Sequence, residues 1–170
     1  MSMSEITLIP TTESDRSYIA RLNFLTEVFG DEHAELTDQE MKRFHEDFEY
    51  YVRQWEPNNG GFIAWDGDIP AGGVWLVWGT DQQHGYGYVD SRLPELAIAV
   101  EPRYRKGKGI GTALIQEVLE LTQKQQWAGV SLSVSEDNPR AHALYRRLGF
   151  KDVRYDAPTK HYVLEQRFPA

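Results

Sequence analysis

Residues 102–114 read Pro-Arg-Tyr-Arg-Lys-Gly-Lys-Gly-Ile-Gly-Thr-Ala-Leu: four cations, then alternate glycines running into an amphipathic stretch. Their chemistry suits an extended phosphate. Arg103, Arg105, Lys106 and Lys108 concentrate positive charge in a chain whose net charge is −8. Gly107, Gly109 and Gly111 lack a Cβ, so a ligand can approach the backbone closely. A helix opening here aims unpaired N–H groups and the positive end of its dipole at whatever lies above the loop. Two simpler phosphate loops fail. The dinucleotide fingerprint needs a third glycine where Thr112 stands, and a Walker loop needs Ser or Thr where Gly109 follows Lys108. A glycine-rich turn with solvated lysines is the alternative.

A second stretch, Asn138-Pro-Arg-Ala-His-Ala-Leu-Tyr-Arg-Arg-Leu-Gly-Phe150, has its own local logic. Asn138 suits an N-cap, and Pro139 suits the first helical position, where a missing N–H loses nothing. Ala141, Leu144, Tyr145 and Leu148 then share one helical face, and Gly149 supplies the stop. By itself this is a capped amphipathic helix.

Together the two stretches resemble the GNAT superfamily of acyl-CoA-dependent N-acetyltransferases. Lys106–Gly111, after the apolar run Leu96–Val100 and Glu101-Pro102, is similar to that family's Gln/Arg-x-x-Gly-x-Gly/Ala, with Lys in place of Gln/Arg. Arg105 would hold that place but for one inserted residue, so Arg105 and Lys106 compete for one role. Asn138–Phe150 is similar to the family's Asn-x-x-Ala-x-x-Leu-Tyr-x-x-x-Gly-Phe without a gap. The resemblance covers roughly residues 60–165. It implies an α/β fold, a single N-acetyltransferase domain over 1–170. The sheet is mixed and mostly antiparallel, of about six to seven strands, flanked by about four helices.

The resemblance also implies acetyl-CoA as acyl donor and no metal. Arg105, Lys106, Gly107, Lys108, Gly109, Ile110, Gly111 and Thr112 would hold its pyrophosphate, leaving the other end free to position the thioester. A backbone N–H from Ile98, Ala99 or Val100 would polarise the thioester carbonyl. Asn138 would touch the pantetheine arm, though an N-cap role serves it equally. Tyr145 would be the general acid beside the thioester sulfur, against the alternative of a core tyrosine. Glu95 would take the amine's proton, directly or through water, against the alternative of a solvated carboxylate at a strand start. His84, Asp90 and His161 are fallback bases. The implied reaction is acetyl transfer to a primary amine of a small molecule by direct attack in a ternary complex. A protein N-terminus or lysine as acceptor, or a non-catalytic acyl-CoA-binding module, are the alternatives. Trp55, Trp65, Trp75 and Trp78 lie in or beside segments that in this family flank the acceptor groove, where aromatic faces suit a cationic amine. Trp75 and Trp78, at odd offset, point to opposite faces, which makes one of them core or interface. Homodimers are common in the family, and the sequence adds nothing to that.

Hydrophobic periodicity supplies the elements that hold these residues. Ile6–Ile9 alternates as a strand, and Thr12 or Ser14 caps a helix that ends near Gly30. A second helix runs from about Thr37 to Val52. Phe62–Trp65 and Gly73–Trp78 form a hairpin about Asp66-Gly-Asp68. Residues 79–91 are polar and glycine-rich, which predicts a mobile loop. Glu95–Val100 is a strand, followed by a helix from about Gly109 to Gln125. Val130–Val134, the Asn138–Leu148 helix, and strands near Phe150–Tyr155 and His161–Gln166 complete the pattern. Composition fits one globular domain: 170 residues, 41% hydrophobic and 26% charged. With no cysteine, disulfides and thiol chemistry are excluded, and five scattered histidines lack metal-ligand spacing. The negative charge argues against a general nucleic-acid binder. No signal peptide or membrane-length apolar run is visible, so the expected location is cytoplasmic, with no membrane partner.

Overall fold

The computed structural model describes residues 5–28, 31, 33–105 and 109–169. All seven expected strands form: β1 (Ile6–Pro10), β2 (Gly61–Asp66), β3 (Ile69–Val77), β4 (Glu95–Val100), β5 (Gly129–Ser135), β6 (Lys151–Asp156) and β7 (His161–Arg167). Their order is β1-β2-β3-β4-β5-β7-β6. The β1–β2, β2–β3, β5–β7 and β6–β7 pairs are antiparallel, and β4–β5 is parallel. Four α-helices accompany them among the described residues: α1 (Arg16–Glu27), α2 (Asp38–Phe48), α3 (Ile110–Lys124) and α4 (Pro139–Arg147). The mixed, mostly antiparallel sheet with four helices is the architecture the sequence predicts.

The chain forms two compact units. The first comprises Met1–Leu76 and Ala97–Val118. Its core packs Ile19, Leu22 and Leu25 of α1 with Ile63, Val74, Trp75 and Leu76 of the hairpin, all essentially inaccessible. Trp55 and Trp75 are fully buried. Trp75 Nε1 donates to Tyr51 O at 3.0 Å, and the Arg16 guanidinium lies 5.1 Å from the Trp55 ring centre. Both indoles are therefore core, not lining for an acceptor. A capping box starts α2: Thr37 Oγ1 accepts from Glu40 N, and Glu40 Oε1 accepts from Thr37 N. The helix reaches the Val52 region by widening into a π turn, Glu49–Arg53, which buries the consecutive residues Tyr50, Tyr51 and Val52. A regular helix would turn one of the three outward. The predicted end of the first helix, Gly30, lies outside the described residues.

The second unit comprises Val77–Leu96 and Leu119–Ala170. Here β5 alternates. Val130, Leu132 and Val134 are buried on one face, with Ser131, Ser133 and Ser135 on the other. Antiparallel register sets Ser131 opposite Glu165, Ser133 opposite Val163 and Ser135 opposite His161. At its other edge β5 meets β4 in parallel, Glu95 beside Ser131, with Ser131 N donating to Pro94 O at 3.0 Å.

Candidate active site

In the first unit the end of β4 is fixed by Glu101. This buried carboxylate accepts from Tyr18 Oη at 2.7 Å, Arg21 Nε at 2.9 Å and Arg21 Nη2 at 2.6 Å. Its own N–H donates to Ala71 O at 2.9 Å, tying the turn to β3. Burial works against the charge. The Arg21 and Tyr18 hydrogen bonds outweigh it and hold the Glu101 carboxyl below the usual range. Burial and the neighbouring carboxylate push the Tyr18 phenol far up in turn. Tyr18, Arg21, Pro70, Glu101, Pro102 and Arg103 line a pocket of about 480 Å³. No sequence pattern signals this clasp: Tyr18 and Arg21 sit three apart on α1, but nothing local names their partner.

The turn Pro102–Tyr104 then leads to Arg105, whose Nε donates back to Val100 O at 3.1 Å. Lys106, Gly107 and Lys108, all expected at the phosphate, lie outside the described residues. Gly109 follows with φ +67°, in the left-handed region where glycine is at home, and its carbonyl accepts from Ala113 N as α3 begins. Among the described residues, a Cβ on Gly109 would meet nothing within 4 Å, and one on Gly111 only Val100 Cγ2 at 3.8 Å. No described residue packs tightly on either glycine. Ile110 is buried, while Gly111, Thr112, Ala97, Ile98 and Val100 are half-buried and Ala99 is buried.

In the second unit Glu95 is 3% exposed, so it is not a solvated strand-start carboxylate. One carboxylate oxygen accepts from Gly87 N at 3.1 Å. Gly87 belongs to the segment expected as a mobile loop, which is instead tied down at several points. Arg154 Nη2 donates to Tyr88 O at 2.9 Å, and Tyr88 Oη donates to Asp81 at 2.6 Å. Tyr86 stacks on His161 with ring centres 5.1 Å apart, and His84 on Tyr88 at 4.4 Å. Arg92 and Arg167 both reach Asp90. Against the opposing effect of burial, these guanidiniums hold Asp90 down to about 2, which leaves it a poor base. The polarity that suggested a free loop is what fastens it.

Tyr145 sits half-buried on α4, its ring edge-on to Phe150 at 6.2 Å, and burial pushes its phenol up to about 12. Asn138 caps the helix, its Oδ1 accepting from Ala141 N at 3.2 Å. One turn before Tyr145, buried His142 meets Asp152 of β6 at 3.0 Å, and Arg146 meets the same carboxylate at 2.7 Å. These contacts set the rotation of α4, and hence where Tyr145 points. Among the described residues no group of three or more His, Asp or Glu could hold a metal ion, and no helix is long and apolar enough to cross a membrane.

The whole arrangement has relatives. The fold is that of Naa50 of Arabidopsis thaliana, solved in complex with the bisubstrate analogue CoA-Ac-MVNAL: TM-score 0.64 and 20% identity over 96% of this chain and 99% of that one. The N-acetylaspartate synthetase of Rattus norvegicus is 37% identical over 75 residues, 44% of this chain. The chain spans only 24% of that relative's length. N-alpha-acetyltransferase 30 of Schizosaccharomyces pombe is 30% identical over 119 residues, 68% of this chain and 71% of that one. The sequence profile of the Acetyltransferase (GNAT) family matches residues 26–150, a span that holds β4, the start of α3 and Tyr145 together, and the chain belongs to that family.

Proposed function

We propose that the chain transfers an acetyl group from acetyl-CoA to the primary amine of a small, amino-acid-like molecule by direct attack in a ternary complex, with residues 1–170 working as one domain. The family match over 26–150 carries this reading. Acetyl-CoA supplies the thioester. Its pyrophosphate suits the start of α3, where Gly109 and Gly111 carry no side chain and a helix N-terminus offers backbone N–H groups. Arg105, Lys106, Gly107 and Lys108 bring cations and backbone to the same phosphates, with Ile110 and Thr112 in the first helical turn. Backbone N–H groups of Ile98, Ala99 and Val100 orient and polarise the thioester carbonyl. Asn138 reaches the pantetheine arm through whatever its cap leaves free. Tyr145, kept protonated by burial, holds the proton that the departing sulfur takes. An alkylamine is mostly charged at neutral pH, and the Glu95 carboxylate accepts its proton.

A small acceptor agrees with the name of N-acetylaspartate synthetase. A protein N-terminus is the second reading, favoured by the longer match to N-alpha-acetyltransferase 30. The test is release of free CoA thiol from acetyl-CoA over a panel of amino acids, small amines and peptides with free or blocked N-termini. Small amines giving the fastest release support the first reading. Free-N-terminal peptides well ahead support the second. No thiol release above hydrolysis with any amine overturns both in favour of an acyl-CoA-binding module.

A further inference from the structure

Glu95 is shut away by its own chain. Gly87 lies so close on β5 that a Cβ there would come 2.6 Å from Leu132 C and 2.7 Å from Ser133 N, distances no side chain tolerates. Only glycine lets the backbone settle on the serine face of β5 and donate its N–H to the Glu95 carboxylate at 3.1 Å. Beside Glu95, Ser131 is fully buried, and its Oγ has no hydrogen-bond partner among the described residues. Parallel pairing puts Glu95 and Ser131 on one face of the sheet. The covering segment thus meets the carboxylate and leaves the hydroxyl unmet. Tyr88 is buried, and the other anchors are Arg154 on Tyr88 O, Arg167 on Asp90, and the Tyr86–His161 stack. Segments held this way open at lower free energy than a packed core.

We infer that Tyr86–Tyr88 is a strap standing in for the acceptor, with the Gly87 N–H occupying the place on Glu95 that the acceptor's nitrogen takes when the strap lifts. The inference rests on Glu95 acting as the base. It also defines an acceptor class. Ser131 Oγ, left unpaired by the strap, suits an oxygen acceptor on the incoming molecule, which is therefore an amine with a carbonyl or carboxylate a few bonds from its nitrogen.

Amide hydrogen exchange at Gly87, followed by NMR with and without a saturating amino-acid amide, tests the strap without requiring turnover. The amide should speed exchange about tenfold, the effect of one lost hydrogen bond. Arg154→Gln, a surface change that spares the core, should speed it without ligand and lower KM for the amine several-fold, with KM for acetyl-CoA unchanged. Gly87→Ala should act in the same direction more strongly. If it fails to fold, Arg154→Gln still decides. Ser131→Ala should raise KM about tenfold for the amino-acid amide and leave a plain alkylamine of equal length unaffected. Gly87 protection that ignores both the amide and Arg154→Gln overturns the strap. Equal effects of Ser131→Ala on both amines overturn the acceptor class. Absence of acetyl transfer with every amine would instead sink the proposed activity, and the exchange measurements would still judge the strap.

Discussion

Glu95 opens β4 and Glu101 directly follows its last residue, and both are buried, yet their surroundings differ in kind. Glu101 is met by a guanidinium and a phenol through three hydrogen bonds on its two oxygens, two of them from a bidentate Arg21. Glu95 takes the peptide N–H of a strap anchored mainly at its margins. A buried charge matched by an opposite charge is a fixture, because removing either member strands the other in low dielectric. A buried carboxylate held by a neutral N–H can trade that N–H for another of similar strength. Glu101 therefore fixes the turn after β4, while under the proposed reaction the Glu95 carboxylate can exchange that N–H for an amine.

The largest effect should separate the two directly. Glu95→Gln keeps the shape and removes the proposed base, so acetyl transfer should fall by about 10²–10⁴ in kcat, with the urea midpoint little changed. Glu101→Gln should do the reverse, leaving kcat within a few-fold and moving the urea midpoint. A Glu101→Gln variant that loses activity as steeply as Glu95→Gln, at full stability, would break the comparison. Tyr145→Phe comes next, at about 10²-fold in kcat. Its phenol, at about 12 in the fold and 10 when unfolded, adds stability that is complete below pH 10 and lost as pH rises from 10 to 12. Urea titrations at pH 9 to 12 should show a shallower decline for Tyr145→Phe.

The stability arm of the comparison is Arg21→Ala. It leaves the Glu101 carboxylate with Tyr18 and the more distant charge of Arg103, and should remove about 1–3 kcal/mol in urea unfolding at pH 7. Part-exposure of Arg21 argues for the lower end of that range. The sign with pH follows from the lowered carboxyl. Its contribution is present above the ordinary carboxylate value and disappears as pH falls through and below it. Wild type should lose stability between about pH 5 and pH 3, and Arg21→Ala should lose less over the same interval because it has less to lose.

What the sequence could convey divides along the same line. Elements were legible because burial has a period: β5 alternates Val, Leu and Val against three serines, and α4 carries its stop and cap in Gly149 and Asn138. The bounds of α3 were legible too, because its apolar stripe has the helical period: it runs Ile110–Lys124 where about Gly109 to Gln125 is expected. Long-range polar partners were not. Glu101 finds Tyr18 and Arg21 some eighty positions away, and Asp152 at the start of β6 finds His142 across the end of α4 and a turn. Neither pairing leaves a local pattern. The segment 79–91 was misjudged as mobile for the same reason: its polar residues have partners on β6 and β7 that no window of sequence contains.

The smallest expected effect sharpens the comparison by adding a third, half-buried acid whose shift runs in the opposite direction. At the end of α1, burial first and then hydrogen bonding to Asp47 of α2 push Glu27 from its ordinary value of 4.5 up to about 9, with Arg43 only partly offsetting them. Here the partner is another acid, so the fold takes up a proton that the unfolded chain does not hold at neutral pH. The stabilisation from this proton is complete below the ordinary carboxylate value and fades as pH rises toward 9. Glu27→Gln keeps a donor for Asp47 without needing the proton, and should therefore gain about 1 kcal/mol in urea unfolding at pH 8 and nothing at pH 4. The wild-type and Glu27→Gln curves should thus separate on the alkaline side, whereas the wild-type and Arg21→Ala curves separate above the carboxylate range and converge on the acid side. Acids matched by a cation and acids matched by an acid would then be distinguished by one set of urea titrations. Glu95, matched by a peptide N–H, would be the one whose replacement registers in turnover and not in those curves.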